Sequence, residues 1–345
     1  MTKRAAQSVA TSHEWEFRAR FRKRAFGWKS QPAVKRVREA TAEIRKVARK
    51  DANLAAEGAV LFLEKLSPAL EQVDSSSGAI GAAVNKAILT LVDIIAAAPA
   101  DEDVRRKWLD RLYKALEEDD IPYIESLAEH WGKLCATPEL ASFCADEIGD
   151  PTRRALLREK HERQYFFGTS ACLSALHAAG RHNELITLLN DESFWPYKRW
   201  AVEAMAAQGR KSEALELAES CRSPWASDLE IDRICEALLL SAGLVDEAYS
   251  RYGLQANQAG TYAAWFRAVA RKYPDKSASV ILNDLVATTP EEEGKWFAAA
   301  KDAGLYDEAI KLAMSSPASP QTLTRAARDF EEKNPTFAIE AGMAA

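Results

Sequence analysis

From residue 178 onward, apolar residues recur at helical spacing and the same turn interrupts them at regular intervals. Four stretches carry it: AAGRHNELITLL (178–189), AQGRKSEALELA (207–218), SAGLVDEAYSRY (241–252) and DAGLYDEAIKLA (302–313). Each has a small residue, a glycine, a short polar link ending in an acid, and then an apolar pattern with a period near 3.6. A helix that stops at glycine and restarts behind Asp, Asn or Ser predicts an αα-hairpin. Glycine takes the left-handed position after the last turn at little cost, and a short polar side chain caps the next helix. RKYPDKSASVIL (271–282) and EKNPTFAIEAG (332–342) fit the same scheme, with proline in the first turn of the second helix.

Aligning Gly180, Gly209, Gly243, Tyr273, Gly304 and Asn334 gives spacings of 29, 34, 30, 31 and 30 residues. A period near 30 holds two helices of about 11–13 residues and two turns. Neither helix can bury its apolar face alone, so the units are expected to stack. GLYDEAIKLAMSSP (304–317) resembles the turn and second helix of a tetratricopeptide-type repeat, through Gly304, Tyr306, Glu308, Ala309 and Pro317. The resemblance covers residues 163–345 as a class of repeat. It departs in the first helix, where Trp200, Trp265 and Trp296 lie eight or nine residues before the turn and the family's mid-helix glycine is absent. It implies a scaffold that holds peptides or proteins.

The N-terminal half has helical periodicity without internal repetition. Helices are predicted from Pro32, from about Leu54 to Val73 with Pro68 kinking or dividing it, and from the link DSSSG (74–78) to Pro99. Others follow near 101–118, 121–135 and 138–148. Gly149-Asp150-Pro151 breaks the pattern, and the charged stretch Arg153, Arg154, Arg158, Glu159, Lys160 leads into the repeats, which predicts a boundary within 149–162. The expected fold is all-α: a basic aromatic segment (1–30), an N-terminal helical domain (31–150), then a right-handed α-solenoid of antiparallel helix pairs (163–345). The last helix, from about Pro335, ends in the apolar run AIEAGMAA. Solenoids normally finish on a polar cap. That helix is therefore expected to meet a partner or a second copy by self-association, or the chain is a fragment of a longer repeat protein.

Composition agrees with a folded helical chain: 47% hydrophobic, 28% charged, and only 15 glycines and 13 prolines in 345 residues. Charge is distributed unevenly. Residues 1–50 carry 15 Lys/Arg against Glu14, Glu16, Glu39 and Glu43, a net of +11. The remainder, in a chain of net charge −5, holds −16. No apolar run approaches the roughly 20 residues of a membrane span; the longest, Ala87–Ala98, contains Asp93. The five cysteines (Cys135, Cys144, Cys172, Cys221, Cys235) form no CxxC and sit in apolar helical contexts, which predicts reduced, buried thiols and a cytoplasmic protein.

HEWEFRARFRKRAFGWKS (13–30) is the most distinctive segment. Arg18, Arg20, Arg22, Lys23, Arg24 and Lys29 interleave with Trp15, Phe17, Phe21, Phe26 and Trp28. Aromatic rings stack bases and cations meet phosphates, so the segment is a candidate nucleic-acid or anion contact. The same pattern suits an amphipathic helix on an acidic membrane or in a partner's groove. A third reading puts Phe17, Phe21 and Trp28 (i, i+4, i+11) on one stripe packed against the following helices. Ser75, Ser76, Ser77 and Gly78 precede a helix, as an N-cap or as a candidate anion-binding loop, without the lysine spacing of a P-loop; Lys86 lies too far along.

Other chemistry is sparse. No HExxH occurs, and His177 and His182 are five apart across a turn. Glu117-Glu118-Asp119-Asp120 falls at a helix junction, where capping accounts for it. Phe194, Trp195, Tyr197, Trp200, Trp265 and Trp296 are either inter-repeat core or a partner-binding groove. No catalytic residue, metal site or cofactor is expected. The leading expectation is a non-enzymatic scaffold or adaptor for a protein or peptide; the alternative is a nucleic-acid-binding protein using residues 13–50.

Overall fold

The structure, a computed structural model, describes residues 13–157, 165–223 and 227–345. The expected contributions of Arg158, Glu159, Lys160 and His161 lie outside these residues, as does the start of the basic segment. Among the described residues the chain is all-α, with nineteen α-helices and no strand. They gather into two compact units divided between Gln208 and Gly209.

In the first unit, α1 (Glu16–Arg20) is a single short turn, and α2 (Ser30–Ala48), α3 (Ala52–Leu70) and α4 (Ala79–Ala97) pack on one another. Val34, Val37, Ile44, Phe62, Leu63, Leu66, Val84, Ile88 and Leu91 form their buried core. Asp51 caps α3 by accepting from the Leu54 amide at 2.9 Å. Pro68 does not divide α3. It sits in the final turn, and its carbonyl accepts from the Arg24 amide at 2.9 Å. α4 is longer than the run Ala87–Ala98 suggested: over 19 residues, with a mean hydropathy of 1.7, it is long and apolar enough to cross a membrane. Here it packs between α2 and α3, and its remaining face carries Asn85, Lys86 and Asp93.

α5 (Glu102–Glu117) lies on α3 and is capped by Asp101. The predicted 121–135 helix is instead a 3-10 turn (Glu125–His130) followed by the short α6 (Trp131–Cys135). Buried Arg105 ties these elements together without a carboxylate partner. It donates to the carbonyls of Ile95 (3.0 Å) and Ala98 (2.7 Å) at the end of α4, and of Leu134 (3.1 Å) at the end of α6. Two helix C-termini, the negative ends of their dipoles, converge on one guanidinium.

α7 (Pro138–Leu157) corrects the expected break at Gly149-Asp150-Pro151. It runs without interruption through these residues, and Pro151 is accommodated inside it. A proline removes one amide donor but does not end a helix whose other face is packed. α7 lies against α8 (Thr169–Ala178), which pairs with α9 (His182–Leu188), and α10 (Trp195–Ala207) packs on both α8 and α9.

The second unit begins with α11 (Lys211–Ser220), which packs on α12 (Asp228–Ser241). α13 (Val245–Ala248) is a single turn that continues as a π-turn over Tyr249–Gly253. Three hairpins follow: α14 (Tyr262–Lys272) with α15 (Ala278–Ala287), α16 (Phe297–Asp302) with α17 (Tyr306–Ser315), and α18 (Pro320–Phe330) with α19 (Pro335–Met343). α14 packs on α16 and α17 on α19, so neighbouring hairpins share one core containing Trp265, Tyr273, Trp296, Phe297 and Phe337.

The turns divide into two kinds. Gly180, Gly209, Gly243 and Gly304 all have φ between 72° and 80°, as the repeat pattern required. Around three of them the hydrogen bonds are those of a Schellman turn: Gly180 to His177 and Arg181 to Leu176, Gly243 to Leu240 and Leu244 to Leu239, Gly304 to Lys301 and Leu305 to Ala300. The expected polar cap behind the glycine is absent. Arg181, Arg210, Leu244 and Leu305 occupy the N-cap positions without a side-chain capping bond, and the first turn instead carries Glu184, Glu213, Asp246 or Asp307. These acids complement the helix dipole. The turns without glycine are capped conventionally, by Ser277 on the Val280 amide and Asn334 on the Phe337 amide, both at 3.3 Å.

Candidate functional site

The basic segment is docked, not free. Its amphipathic stripe stops at Arg20, because Phe21 leaves helical geometry (φ −105°, ψ 62°) and Arg24 takes φ 57°. Phe17 and Phe21 pack edge-on against Phe62 of α3, with ring centroids 5.1 and 4.9 Å away. Trp15 is buried, its indole lying over Gly58. Glu43 accepts from the Glu16 and Phe17 amides at 2.9 and 3.3 Å, placing an anion at the start of α1. Trp28, which the spacing placed on the same stripe, is 73% exposed in the loop that follows.

The cations of this segment divide accordingly. Arg20 pairs with Glu16 and Glu39, and Lys23 and Arg24 converge on Glu71, which Arg24 holds below the usual carboxylate range. Arg18, Arg22 and Lys29 are exposed and make no ion pair among the described residues. Trp15 therefore presents no face to a ligand, and the aromatic half of the expected surface reduces to Trp28.

A different arrangement emerges one helix further on. Arg38, Thr41, Ala42 and Arg45 fall at i, i+3, i+4 and i+7 of α2, on one side of a groove of about 520 Å³. Ala79, Ala82, Ala83, Lys86, Ala87 and Thr90 of α4 form the other side. The alanines let the two helices approach closely, and buried Val34 and Val37 close the floor. Arg38, Arg45 and Lys86 are exposed, and none is within ion-pair distance of a carboxylate among the described residues. No Asp or Glu lines the groove. The Thr41 and Thr90 hydroxyls donate back to the Val37 and Lys86 carbonyls, at 2.8 and 3.3 Å. The groove is lined by no thiol, imidazole or carboxylate, and its three cations suit it to attract and hold an anion.

Sequence reasoning passed over this site. In the sequence Lys86 lies far from the serine link, and Arg38 and Arg45 merge into the basic charge of residues 1–50. The i, i+7 spacing of two arginines without an intervening acid on their face was the available signal. The pairing of that face with α4 was not, since it belongs to tertiary packing.

The serine link adjoins the groove at the start of α4. Gly78 is the N-cap with φ 69°, and the Ser77 hydroxyl accepts from the Ala79 amide at 3.4 Å. Asp74 accepts from the Ser76 amide at 2.9 Å, a bond that keeps its carboxyl below the usual range. A carboxylate thus already occupies the turn that Ser75, Ser76, Ser77 and Gly78 would have offered to an anion.

The aromatic stripe is core. Trp195, Trp200, Trp265 and Trp296 are all buried; the Trp265 indole donates to the Leu254 carbonyl at 2.6 Å and that of Trp296 to the Thr289 hydroxyl at 2.8 Å. Tyr197 is half-buried, leaving Phe194, at 55% exposure, as the accessible member of its cluster. On α19, Ile339 and Met343 are exposed one turn apart while Phe337 and Ala341 are buried. Asp119 is a capping residue: it accepts from the Ser67 hydroxyl and from the amides of Tyr123 (3.2 Å) and Ile124 (2.8 Å). His177 and His182 do meet across the Gly180 turn, with rings 5.2 Å apart. Among the described residues no three His, Cys, Asp or Glu side chains are grouped to hold a metal ion. No family model matches the chain, and no curated protein matches it.

Proposed function

We propose that this chain is a non-enzymatic scaffold whose N-terminal unit receives an acidic segment of a protein partner in the groove between α2 and α4. One observation carries the reading: Arg38, Arg45 and Lys86 line a single groove without a neutralising carboxylate. Other arginines of the same unit are matched, as Arg111 is by Glu57 and Glu64 and Arg153 by Glu184. Unmatched exposed cations around an apolar floor suit an acidic peptide, which brings both carboxylates and apolar side chains. In the same proposal the hairpins from α14 to α19 stack as a right-handed, tetratricopeptide-like α-solenoid, supported by their common core and the Schellman turns. A cytoplasmic setting belongs to it as well, supported by the buried, reduced thiols of Cys135, Cys144, Cys172 and Cys235.

Nucleic acid is the second reading, favoured by the unpaired Arg18, Arg22 and Lys29 beside exposed Trp28. Burial of Trp15, Phe17 and Phe21 removes the stacking platform that single-stranded binding uses. The two readings separate in one titration of the full chain with fluorescent polyglutamate and with single- and double-stranded oligonucleotides, at low and moderate salt. The scaffold reading expects salt-dependent polyglutamate binding that the Arg38→Glu/Arg45→Glu/Lys86→Glu variant weakens roughly tenfold or more. Tighter oligonucleotide binding that survives this variant assigns the surface to nucleic acid. Absence of binding to either anion rejects the groove.

A further inference from the structure

α5 and α7 both pack on α6 and leave a cavity of about 390 Å³ between them. Trp131 of α6, Leu109 of α5 and Ile148 of α7 line it and are buried. Tyr113 and Phe143 add aromatic walls. The Tyr113 ring meets Trp131 edge-on, with centroids 5.8 Å apart, and Phe143 is left 42% exposed. Exposed aromatic surface continuous with a buried apolar floor is a mark of an interaction site.

The free charge around this cavity has one sign. Asp110 and Glu117 stand two turns apart on the face of α5 that carries Tyr113, and Glu147 stands one turn beyond Phe143 on α7. All three are exposed, and none of their carboxylates makes a hydrogen bond or ion pair among the described residues. Lys114 also lines the cavity, but its ammonium lies 3.7 Å from Glu118. Arg106, outside the lining, is held by Glu102 at 2.7 and 3.0 Å. Its guanidinium lies over Phe143, 3.8 Å from the ring centroid. That ring thus already takes a guanidinium, the planar cation that stacks most readily on aromatic carbon.

The hollow does not end at Glu117. A second depression of about 410 Å³ shares that residue and runs past Asp120 to Tyr165 and Phe167. Asp120 is exposed, and its carboxylate is unpaired among the described residues. Acids and rings therefore alternate over more than the length of one side chain, which suits an extended segment rather than a single small cation.

We propose that the groove between α5 and α7 binds an arginine-bearing basic segment of a protein partner. Its guanidinium groups stack on Tyr113 and Phe143 and meet the carboxylates of Asp110, Glu117 and Glu147. The methylene stem of each arginine covers the apolar floor. Charge complementarity selects this partner over an acidic or a neutral one. The surface shares no residue with the α2–α4 groove and takes the opposite charge, so it stands whether or not that groove receives an acidic segment.

The test titrates the full chain with a fluorescent peptide of alternating arginine and leucine. Asp110→Asn/Glu117→Gln/Glu147→Gln is expected to weaken binding roughly tenfold, and Phe143→Ala several-fold. An equal change of charge at exposed carboxylates of the second unit, Asp275→Asn/Glu331→Gln/Glu332→Gln, should leave the affinity within about twofold. A peptide with lysine in place of arginine should bind several-fold more weakly, since an ammonium does not stack as a planar guanidinium does. Equal losses in the two charge variants assign the binding to general acidity and overturn the proposal. Equal affinity for the lysine peptide overturns it too, as does binding of arginine amide as tight as that of the peptide, which makes the site one for a small cation. Absence of peptide binding at low salt rejects the groove.

Discussion

Gly58 lies directly beneath the Trp15 indole: a Cβ at residue 58 would approach Trp15 Cζ2 to 2.1 Å. That contact holds the basic segment against α3, and it requires the one residue without a side chain. In an exposed helix Gly→Ala stabilises by about 1 kcal/mol. Here Gly58→Ala is expected to destabilise by about 3 kcal/mol, because Trp15 must leave its buried site. Thermal denaturation and a red-shifted tryptophan emission measure the two halves of that statement.

Arg105→Met should cost about 3 kcal/mol, since the carbonyls of Ile95, Ala98 and Leu134 lose their donors in a buried site. Arg105→Lys should recover only part of this, because one ammonium cannot span the ends of two helices as a planar fork does. Denaturant midpoints of the two variants give the ranking. Equal stability of Met and Lys variants would remove the converging-carbonyl account.

Two glycines in the second unit separate strain from crowding. Gly304 has φ 77° and open space where a Cβ would stand, so Gly304→Ala should cost about 1 kcal/mol from conformation alone. Gly294 has ordinary φ, but its Cβ would meet the Ser316 carbonyl oxygen at 2.3 Å. Gly294→Ala should therefore cost more, about 3 kcal/mol, since backbone rather than a side chain must move. Parallel melting curves decide the order.

Acid should weaken the first unit before carboxylates are protonated. Burial lowers the pKa of both His130 and His177, and the neighbouring His182 lowers His177 further. The folded state then binds these protons less readily than the unfolded chain. Stability is complete above the ordinary histidine value near 6.5 and declines as pH falls through the lowered folded values. Glu203, whose carboxyl is raised by burial, acts in the opposite sense but nearer the carboxylate range. Melting temperatures between pH 7.5 and 5 should fall, and His177→Phe should flatten the slope. An unchanged slope in that variant would exclude His177 from the effect.

Much of the helical frame was legible from the chain. The glycine turns at 180, 209, 243 and 304 were readable because only one backbone conformation satisfies a helix stop followed by an immediate restart, and glycine reaches it without strain. The stretch 13–30 was less legible. Helical spacing joined Phe17, Phe21 and Trp28, yet the helix ends after five residues, where docking on Phe62 outweighs local periodicity. Gly149-Asp150-Pro151 reads as a breaker on propensity, but α7 absorbs it because α8 packs along its length.

The sequence alone determined the helical class, the spacing of the glycine turns and the unequal charge of the two ends, because these depend on neighbours within a few residues. Which residues became surface was decided by tertiary structure. Trp15 was buried over Gly58 while Trp28 was left in solvent; Arg24 was neutralised by Glu71 from another helix, while Arg38 and Arg45 were set opposite Lys86. Each outcome depends on which helix faces which, and that is set by the packing of whole apolar faces rather than by the residues at the site.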